Sequence, residues 1–224
     1  MQENNTIKQV KSKKRVADHG EVFTNEREVN AMLDLVKQET ERIDSRFLEP
    51  ACGDGNFLVE ILRRKLEVVS KRYKKSQLDY ERYSVIAVSS IYGIDLLKDN
   101  VEECRNRLFI IFQEQYQKLY KDQIKTDCLE SIKFVLSKNI IQGDALTLNK
   151  VDGKKPIVFA EWSAVNGSMI KRRDYTMANL LQAEAAKVPG GLFDDVYESD
   201  PAFLPKTVAG YPLTHFLKLQ EQDA

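Results

Sequence analysis

A glycine-rich stretch, FLEPACGDGNFLVE (residues 47–60), has the residue types of a loop that binds an adenosine-containing cofactor. Gly53 and Gly55 let the backbone approach a ligand without a Cβ clash, and the start of a following helix supplies free N–H groups. A dinucleotide site would have a third glycine where Leu58 stands, and an acid roughly 20 residues further on. Asp95, which ends the next predicted strand, lies forty positions after Gly55. A bound pyrophosphate is therefore a poor fit.

The acids of this loop indicate the charge of its ligand. Glu49 stands just before the glycines, and Asp54 lies between them. Two carboxylates repel a phosphate and attract a positively charged ligand. S-adenosylmethionine has a sulfonium and an ammonium group, so the loop favours it as the cofactor.

Two further acids, Asp95 and Asp144, each follow an apolar run. Ligands of parallel α/β sheets bind at the carboxyl ends of the strands, where such acids would lie. An Asp after a strand is more often a turn residue, and only the joint occurrence with the glycine loop favours binding. In the same way, Thr24 alone is as compatible with a helix cap as with a ligand contact.

The elements that must position these residues alternate between strand and helix up to residue 144. This order predicts an α/β fold with a parallel sheet flanked by helices. The stretch from residue 84 to 96 is apolar and predicts a buried strand at least over its last half. The predicted elements are a helix over residues 25–37, capped by Thr24 or Asn25, strands over 45–50, 84–96 and 139–144, and helices around 58–69, 101–119 and 129–136.

After residue 144 the pattern changes to a predicted β-hairpin. The runs IVFAEWSAV and SMIKRRDYT flank an Asn166-Gly167 pair, which is typical of a type I′ turn. A helix is predicted over residues 176–187. The remainder is rich in proline and glycine, which favours an irregular segment that wraps the domain over further sheet, with disorder as the alternative.

Composition excludes several classes of protein. Formal net charge is zero, so no global basic field attracts nucleic acid or membrane. The basic residues near the N-terminus, the run at residues 171–173 and the acids at 194–200 are each interpreted as solvated. Three unpaired cysteines and two histidines make a metal site unlikely to form. No apolar run approaches the roughly 20 residues of a membrane span, so a reducing, cytoplasmic location is expected.

Four motifs occur together in an order that resembles a known family. The chain is similar to the amino-methylating DNA methyltransferases, in particular the N6-adenine group of bacterial restriction-modification systems. The resemblance covers residues 15–146 and implies a Rossmann-like methyltransferase fold, S-adenosylmethionine as cofactor and DNA as partner. The motifs are GEVFTN (residues 20–25), FLEPACGDGNFL (47–58), IYGIDL (91–96) and QGDAL (142–146).

The resemblance also implies which residues contact the cofactor. These are Phe23 and Thr24 on the methionine and adenosine parts, Glu49, Ala51, Gly53 and Gly55 around the methionine end, Asp95 on both ribose hydroxyls, Leu96 on the adenine ring and Asp144 on the adenine amino group. The implied division is a basic flexible N-terminus (1–15), a cofactor-binding domain (16–150), a hairpin and helix completing it (151–188) and a tail (189–224).

The chain departs from this family at the catalytic motif. The family has an Asp or Asn, two prolines and an aromatic residue that hold the target amine and stack on the flipped base. Here the expected position holds IVFAEWS, in which Glu161 could accept from an amine and Trp162 could stack on a base, although hairpin alternation explains both equally well. The segment Asp200-Pro201-Ala202-Phe203 is a partial match without a preceding strand and is interpreted as a coincidence. The catalytic residues are therefore unknown.

The sequence leaves three functional hypotheses. The first is an adenine-specific DNA methyltransferase that acts on the N6 amine. The second is a non-catalytic cofactor-binding or assembly subunit that works with a catalytic or specificity partner, and the third is a methyltransferase for another acceptor. The family's sheet has more strands than this sequence supplies. Either another chain or a self-dimer completes the sheet, or the tail covers an open edge of a reduced fold.

Overall fold

The computed structural model describes residues 24–185 and 206–223, together with Ser12, Lys14, Arg15 and Ala17. The first helix of the described chain, α1, spans Glu26–Asp34 and is followed by a single turn, α2 (Lys37–Thr40). The Asn25 side chain accepts the Arg27 N–H at 2.8 Å. Asn25 is therefore the cap of α1, and the side chain of Thr24 is not needed for that role.

Three short strands form a parallel sheet: β1 (Phe47–Glu49), β2 (Ile91–Asp95) and β3 (Ile140–Gln142). The middle strand is β2, which pairs in parallel with both neighbours. Because parallel strands end at the same edge, the turns after β1, β2 and β3 come together there. Each strand has a predicted binding acid at or just after its end: Glu49 ends β1, Asp95 ends β2 and Asp144 follows β3. The parallel arrangement therefore brings the three acids to one edge of the sheet.

Four helices connect the strands and cover one face of the sheet: α3 (Asn56–Tyr73), α4 (Gln77–Ser89), α5 (Lys98–Tyr120) and α6 (Thr126–Asn139). Side chains alternate between the two faces of a strand. Ile91 and Ile140 accordingly point into a large apolar core with the helices, while Tyr92 and Ile94 belong to a separate cluster on the other face.

An antiparallel hairpin covers that second face. It consists of β4 (Val158–Ala164) and β5 (Met169–Thr176) and leads into α7 (Met177–Ala185). The Tyr92 hydroxyl donates to the Ala160 carbonyl at 3.0 Å, and its ring meets Phe159 edge-on. The predicted α/β fold, with a parallel sheet flanked by helices and a C-terminal hairpin, is confirmed.

The strand predicted within residues 84–96 is confirmed over its last half, and a helix that was not predicted, α4, occupies the residues before it. Residues up to Ser89 are helical, and only the last half of the stretch, β2, is extended. Ser76 caps this helix by accepting the Asp79 N–H at 3.3 Å. The helix packs against α3 and α6 and is buried on several sides, including Tyr80, Val85 and Val88. A helix buried all round loses the polar face that makes a helical period visible in sequence.

The hairpin turn lies one residue later than predicted. The Met169 N–H donates to the Asn166 carbonyl at 3.1 Å, so the two central residues are Gly167 and Ser168. Gly167 has φ +56°, whereas Asn166 is not in the left-handed region. A glycine at the first central position is the pattern of a type II′ turn, and the predicted type I′ turn is wrong.

The described part of the tail packs along the hairpin and adds two very short strands to it, so the expectation of an irregular segment in place of further sheet is wrong for these residues. These strands, β6 (Ala209–Gly210) and β7 (Thr214–His215), pair with β5. Within the described residues, the tail therefore covers the edge of β5 and leaves β1 and β3 as the outer strands of the parallel sheet. The prediction that the tail covers the open edge of the main sheet is not met in this part of the chain.

Arg172 fastens the tail to the hairpin. It is only 2% exposed, donates to both carboxylate oxygens of Asp174 at 2.8 Å and to Asp223 at 2.7 Å, and lies 3.8 Å from the centre of the Tyr211 ring. The interpretation of the run at residues 171–173 as solvated is wrong for this residue. A buried guanidinium requires such partners, because an unpaired charge is costly inside a protein.

A buried lysine, Lys65 of α3, supports the start of β1. Its ammonium nitrogen donates to the Ile43 carbonyl at 3.2 Å and the Ser90 hydroxyl at 2.6 Å, and also to the Ser45 carbonyl. Burial lowers the pKa of Lys65 to about 7, and the nearby carboxylates of Asp44 and Glu39 only partly oppose this effect. The charged form is thus disfavoured in the folded chain.

This pKa predicts a specific dependence of stability on pH. Between the folded value of about 7 and the ordinary lysine value of 10.5, the unfolded chain binds a proton that the folded chain lacks. The free energy of unfolding should therefore rise with pH, by about 1.4 kcal/mol per unit at most, and become flat below the folded pKa. Urea unfolding from pH 7.5 to 9.5 should show this slope in the wild type relative to Lys65→Met. Parallel curves for the two proteins would contradict the assignment.

Candidate cofactor site

The turn after β1 crosses over the end of β2 and is fixed to it through backbone bonds. The Cys52 N–H donates to the Ile94 carbonyl at 2.8 Å, and the Gly55 N–H donates to the Cys52 carbonyl at 2.8 Å. Gly53 and Gly55 have φ +54° and +95°, a region that favours glycine. The glycines are therefore required by the path of the backbone, and Gly53 also forms part of the cavity wall.

The Asp95 carboxylate joins this turn to the start of α5. One oxygen accepts the Gly53 N–H at 3.0 Å. The other accepts the Leu97 N–H at 2.8 Å and the Asn100 side-chain amide at 3.2 Å. Charge-assisted bonds to backbone N–H groups are stronger than neutral ones. Asp95 thus sets the separation of the two chain segments that border the cavity.

A cavity of about 510 Å³ opens at the carboxyl end of the sheet. This volume lies in the range of sites for small molecules and cofactors. Its walls come from the turns after all three strands and from the first turns of α3 and α5. The lining residues are Thr24, Glu49, Pro50, Ala51, Cys52, Gly53, Asn56, Phe57, Asp95, Leu96, Leu97, Asn100, Gly143, Asp144, Ala145 and Leu146.

Seven of the nine predicted cofactor contacts lie together in this wall: Thr24, Glu49, Ala51, Gly53, Asp95, Leu96 and Asp144. Phe23 lies outside the described residues. Gly55 is in the same loop but faces the core, where an added Cβ would lie 2.7 Å from the Cys104 sulfur. The structure therefore gives Gly55 a packing role behind the cavity.

The Asp144 carboxylate stabilises a turn and also faces the cavity as a hydrogen-bond acceptor. One carboxylate oxygen accepts the Leu146 N–H at 2.9 Å and, at 3.4 Å, that of Thr147. These bonds, the first above all, lower the pKa of Asp144, so it is ionised at neutral pH. The carboxylate is partly exposed and retains lone pairs that a ligand could use.

The charge of the cavity comes from three carboxylates, those of Glu49, Asp95 and Asp144, and none of its sixteen lining residues is a cation. Asp54, the second acid of the glycine loop, does not line the cavity. Its carboxylate pairs with Arg107 at 2.8 Å. The expectation of a site that attracts positive charge therefore depends on Glu49 and the two strand-end acids.

Two asparagines at the cavity were not singled out from the sequence. Asn56 donates to the Thr24 carbonyl at 3.1 Å and accepts from Arg107 at 2.9 Å, so it links the N-terminal approach to the glycine turn. The Asn100 side-chain amide donates to the Asp95 carboxylate at 3.2 Å. The sequence does indicate both asparagines, because each lies in the first turn of a helix that follows a predicted binding loop.

Cys52 lines the cavity, but its thiol points into the protein. Contact with the Cys104 thiol and burial raise the pKa of Cys52 well above its usual value. Nucleophilic cysteines require the opposite shift. Cys52 is thus a small residue of the loop, as expected.

Glu161 and Trp162 are not at the cavity, which corrects the suggestion that they receive a base. Glu161 is bound by Arg46 at 2.6 Å and by the Ser163 hydroxyl at 2.8 Å. Trp162 is buried between the hairpin and α6, where its ring N–H donates to the Asn139 side chain at 3.0 Å. The segment 200–203 lies outside the described residues.

Comparison with known families agrees with this site. The family model described as "MmeI, DNA-methyltransferase domain" matches residues 19–157, more than half of the chain. The chain belongs to this family. All sixteen cavity residues lie inside the matched segment. No curated protein and no solved structure gives a significant match.

Membership of the MmeI methyltransferase family identifies the segment as a DNA-methyltransferase domain, for which DNA is the implied substrate. In the described part of the chain, no helix has the length and apolarity needed to span a bilayer. The same residues contain no group of three or more potential metal ligands.

Removing the Asp95 carboxylate should loosen the cavity wall. Asp95→Ala leaves the Gly53 and Leu97 N–H groups without their acceptor, and loss of such partners costs about 1–3 kcal/mol. Urea unfolding should show a lower midpoint with an unchanged slope. Asp95→Asn keeps one oxygen and should fall between Asp95→Ala and the wild type. Exposed Asp79 on α4, paired with Arg82, provides a control through Asp79→Ala, which should change stability little. Equal midpoints for Asp95→Ala and wild type would contradict the role.

Proposed function

We propose that the chain binds S-adenosylmethionine in this cavity and directs methyl transfer to the N6 amine of adenine in DNA. The observation that supports it is the cavity wall, whose described lining residues include three carboxylates and no cation, inside a segment of the MmeI methyltransferase family. A cavity of this charge suits a ligand with sulfonium and ammonium groups and disfavours a phosphate-bearing nucleotide.

Each part of the proposed ligand has a complementary group in the wall. Glu49 and the glycine turn border the region proposed for the methionine end, with its ammonium group. Asp95 retains lone pairs on oxygens that already hold Gly53 and Leu97, so both can accept from ribose hydroxyls. Leu96 would contact the adenine ring, and the Asp144 carboxylate would accept from the adenine amino group. Phe23 and Gly55 stay predictions from the family resemblance.

The bound cofactor would supply an electrophilic methyl group. The contribution of this chain would be orientation, since holding two reactants in line removes much of the entropic barrier. Glu49 and Pro50 lie at the end of β1, nearest to the outer edge of the parallel sheet.

A second candidate is a cofactor-binding subunit that needs a partner for the acceptor side. Three observations favour it. The sequence has no Asp/Asn-Pro-Pro-aromatic motif, and Glu161 and Trp162 are engaged elsewhere. Leu48 of β1 is also 40% exposed on an edge strand, within the described residues, that pairs only with β2. A partner strand at this edge would lie next to Glu49 and Pro50.

Cofactor binding can be tested with a matched pair of variants. Asp144 and Asp152 each accept the N–H two residues later, at 2.9 and 3.0 Å, but only Asp144 lines the cavity. Asp144→Asn should weaken S-adenosylmethionine binding about tenfold in calorimetry, because an amide donor replaces a charged acceptor. Asp152→Asn should bind like the wild type. The same affinity in all three proteins would place the cofactor elsewhere.

The reaction can be tested with labelled methyl groups. Incubation with labelled S-adenosylmethionine and unmethylated duplex DNA should place label on N6 of adenine if this chain is sufficient. Label that appears only after a candidate partner chain is added would favour the subunit hypothesis. Transfer to cytosine alone, or to RNA or protein alone, would refute the adenine assignment. Gly53→Val, whose side chain would enter the cavity wall, should abolish transfer.

A further inference from the structure

A short turn beside the cavity, residues 150–155, contains three lysines and is named the lysine turn. Its sequence is KVDGKK, and every residue in it is exposed. Among the described residues, Lys150, Lys154 and Lys155 have no ion-pair partner. By contrast, lysines such as Lys98 and Lys133 pair with an acid of their own helix. Neutral surfaces normally intersperse the two signs of charge, so an unpaired group of this size is unusual.

The lysine turn is rigidly built. The Lys150 N–H donates to the Lys155 carbonyl at 2.8 Å, and the Gly153 N–H donates to the Lys150 carbonyl at 2.8 Å. Gly153 has φ +66°, with open space around the position of a Cβ. The one acid, Asp152, accepts the Lys154 N–H at 3.0 Å. The three ammonium groups are thus displayed on an ordered backbone, which lowers the entropic cost of binding.

Backbone bonds fix the lysine turn to the cavity wall. The Asp144 N–H donates to the Asn149 carbonyl at 2.8 Å, and the Ile157 N–H donates to the Leu148 carbonyl at 2.9 Å. Leu148 has φ +60°, which is rare for a residue other than glycine and is a form of strain found most often near functional sites. Leu146, at the rim between turn and cavity, is 96% exposed.

We propose that the lysine turn contacts the phosphate backbone of DNA that is bound over the cavity. This inference rests on the proposed function, because it takes DNA as the substrate. The three carboxylates of the cavity repel a duplex that carries one negative charge per roughly 1.7 Å. Cations at the rim offset this repulsion, and the lysine turn supplies three of them next to Asp144. Phosphate contacts of this kind position DNA without reading its sequence.

A distant basic cluster provides a matched control. Arg72, Lys74 and Lys75 are exposed at the far end of α3. This helix begins at the cavity with Asn56, so at 1.5 Å per residue the cluster lies roughly 24 Å away. Replacing these three residues changes the net charge as much as replacing the three lysines of the turn. Any effect of charge alone will therefore be equal in the two variants.

The test measures binding of unmethylated duplex DNA to the full chain by fluorescence anisotropy. The salt concentration runs from about 50 to 200 mM, because DNA affinity that comes from phosphate contacts falls steeply over this range. The triple variant K150Q/K154Q/K155Q should lower the slope of log affinity against log salt by about 2 to 3. The variant R72Q/K74Q/K75Q should keep the wild-type slope. Calorimetry with S-adenosylmethionine should give the same affinity for all three proteins.

Three outcomes would overturn the proposal: a wild-type slope in the turn variant, an equal loss in the control variant, or no salt-dependent DNA binding by the wild type. Failure of the proposed cofactor would be recognised separately. In that case no protein would bind S-adenosylmethionine, while the difference between the DNA slopes of the two variants would remain. A normal cofactor affinity together with a reduced slope assigns the defect to the lysine turn and not to a damaged cavity.

Discussion

The cavity depends on one carboxylate, that of Asp95, which holds two backbone N–H groups at the end of β2. Gly53 belongs to the turn after β1, and Leu97 precedes α5, so a single side chain sets the distance between the two walls. This arrangement is possible because parallel strands end at one edge of the sheet. The same carboxylate then presents its remaining lone pairs to the cavity. One group thus combines support of the wall with acceptor capacity that faces the cavity.

The rest of the fold keeps this edge open. The helices bury one face of the three-stranded sheet, and the hairpin buries the other through Tyr92, Ile94 and Phe159. The tail is held on the hairpin by Arg172 and does not reach the cavity in the described part of the chain. A small sheet is therefore covered on both faces, as a parallel sheet requires, while its carboxyl edge remains accessible. The described residues that line this edge do not include the family's Asp/Asn-Pro-Pro-aromatic motif, which would hold the acceptor amine.

Local patterns predicted well which residues line the cavity, because such residues are tied to local backbone geometry. Glycines in a turn, an acid after an apolar strand and an asparagine cap each act through neighbours a few residues away. The whole of α4 was missed because Tyr80, Val85 and Val88 are apolar on several sides of a buried helix, which removes the helical period. The hairpin turn was misplaced by one residue because Asn166-Gly167 suits the centre of a type I′ turn while Gly167-Ser168 suits the centre of a type II′ turn, and strand register decides between them.

The sequence by itself determined the family, the parallel α/β core and the carboxylates that border the cavity. Only the tertiary structure decided which charges face the ligand. Asp54 is neutralised by Arg107, Glu161 is bound by Arg46, and Gly55 packs on Cys104, all through residues far away in the chain. The physical reason is that a charge pairs with whatever side chain the fold brings within a few ångströms. Spacing along the chain reveals such a partner only when it lies within the same element.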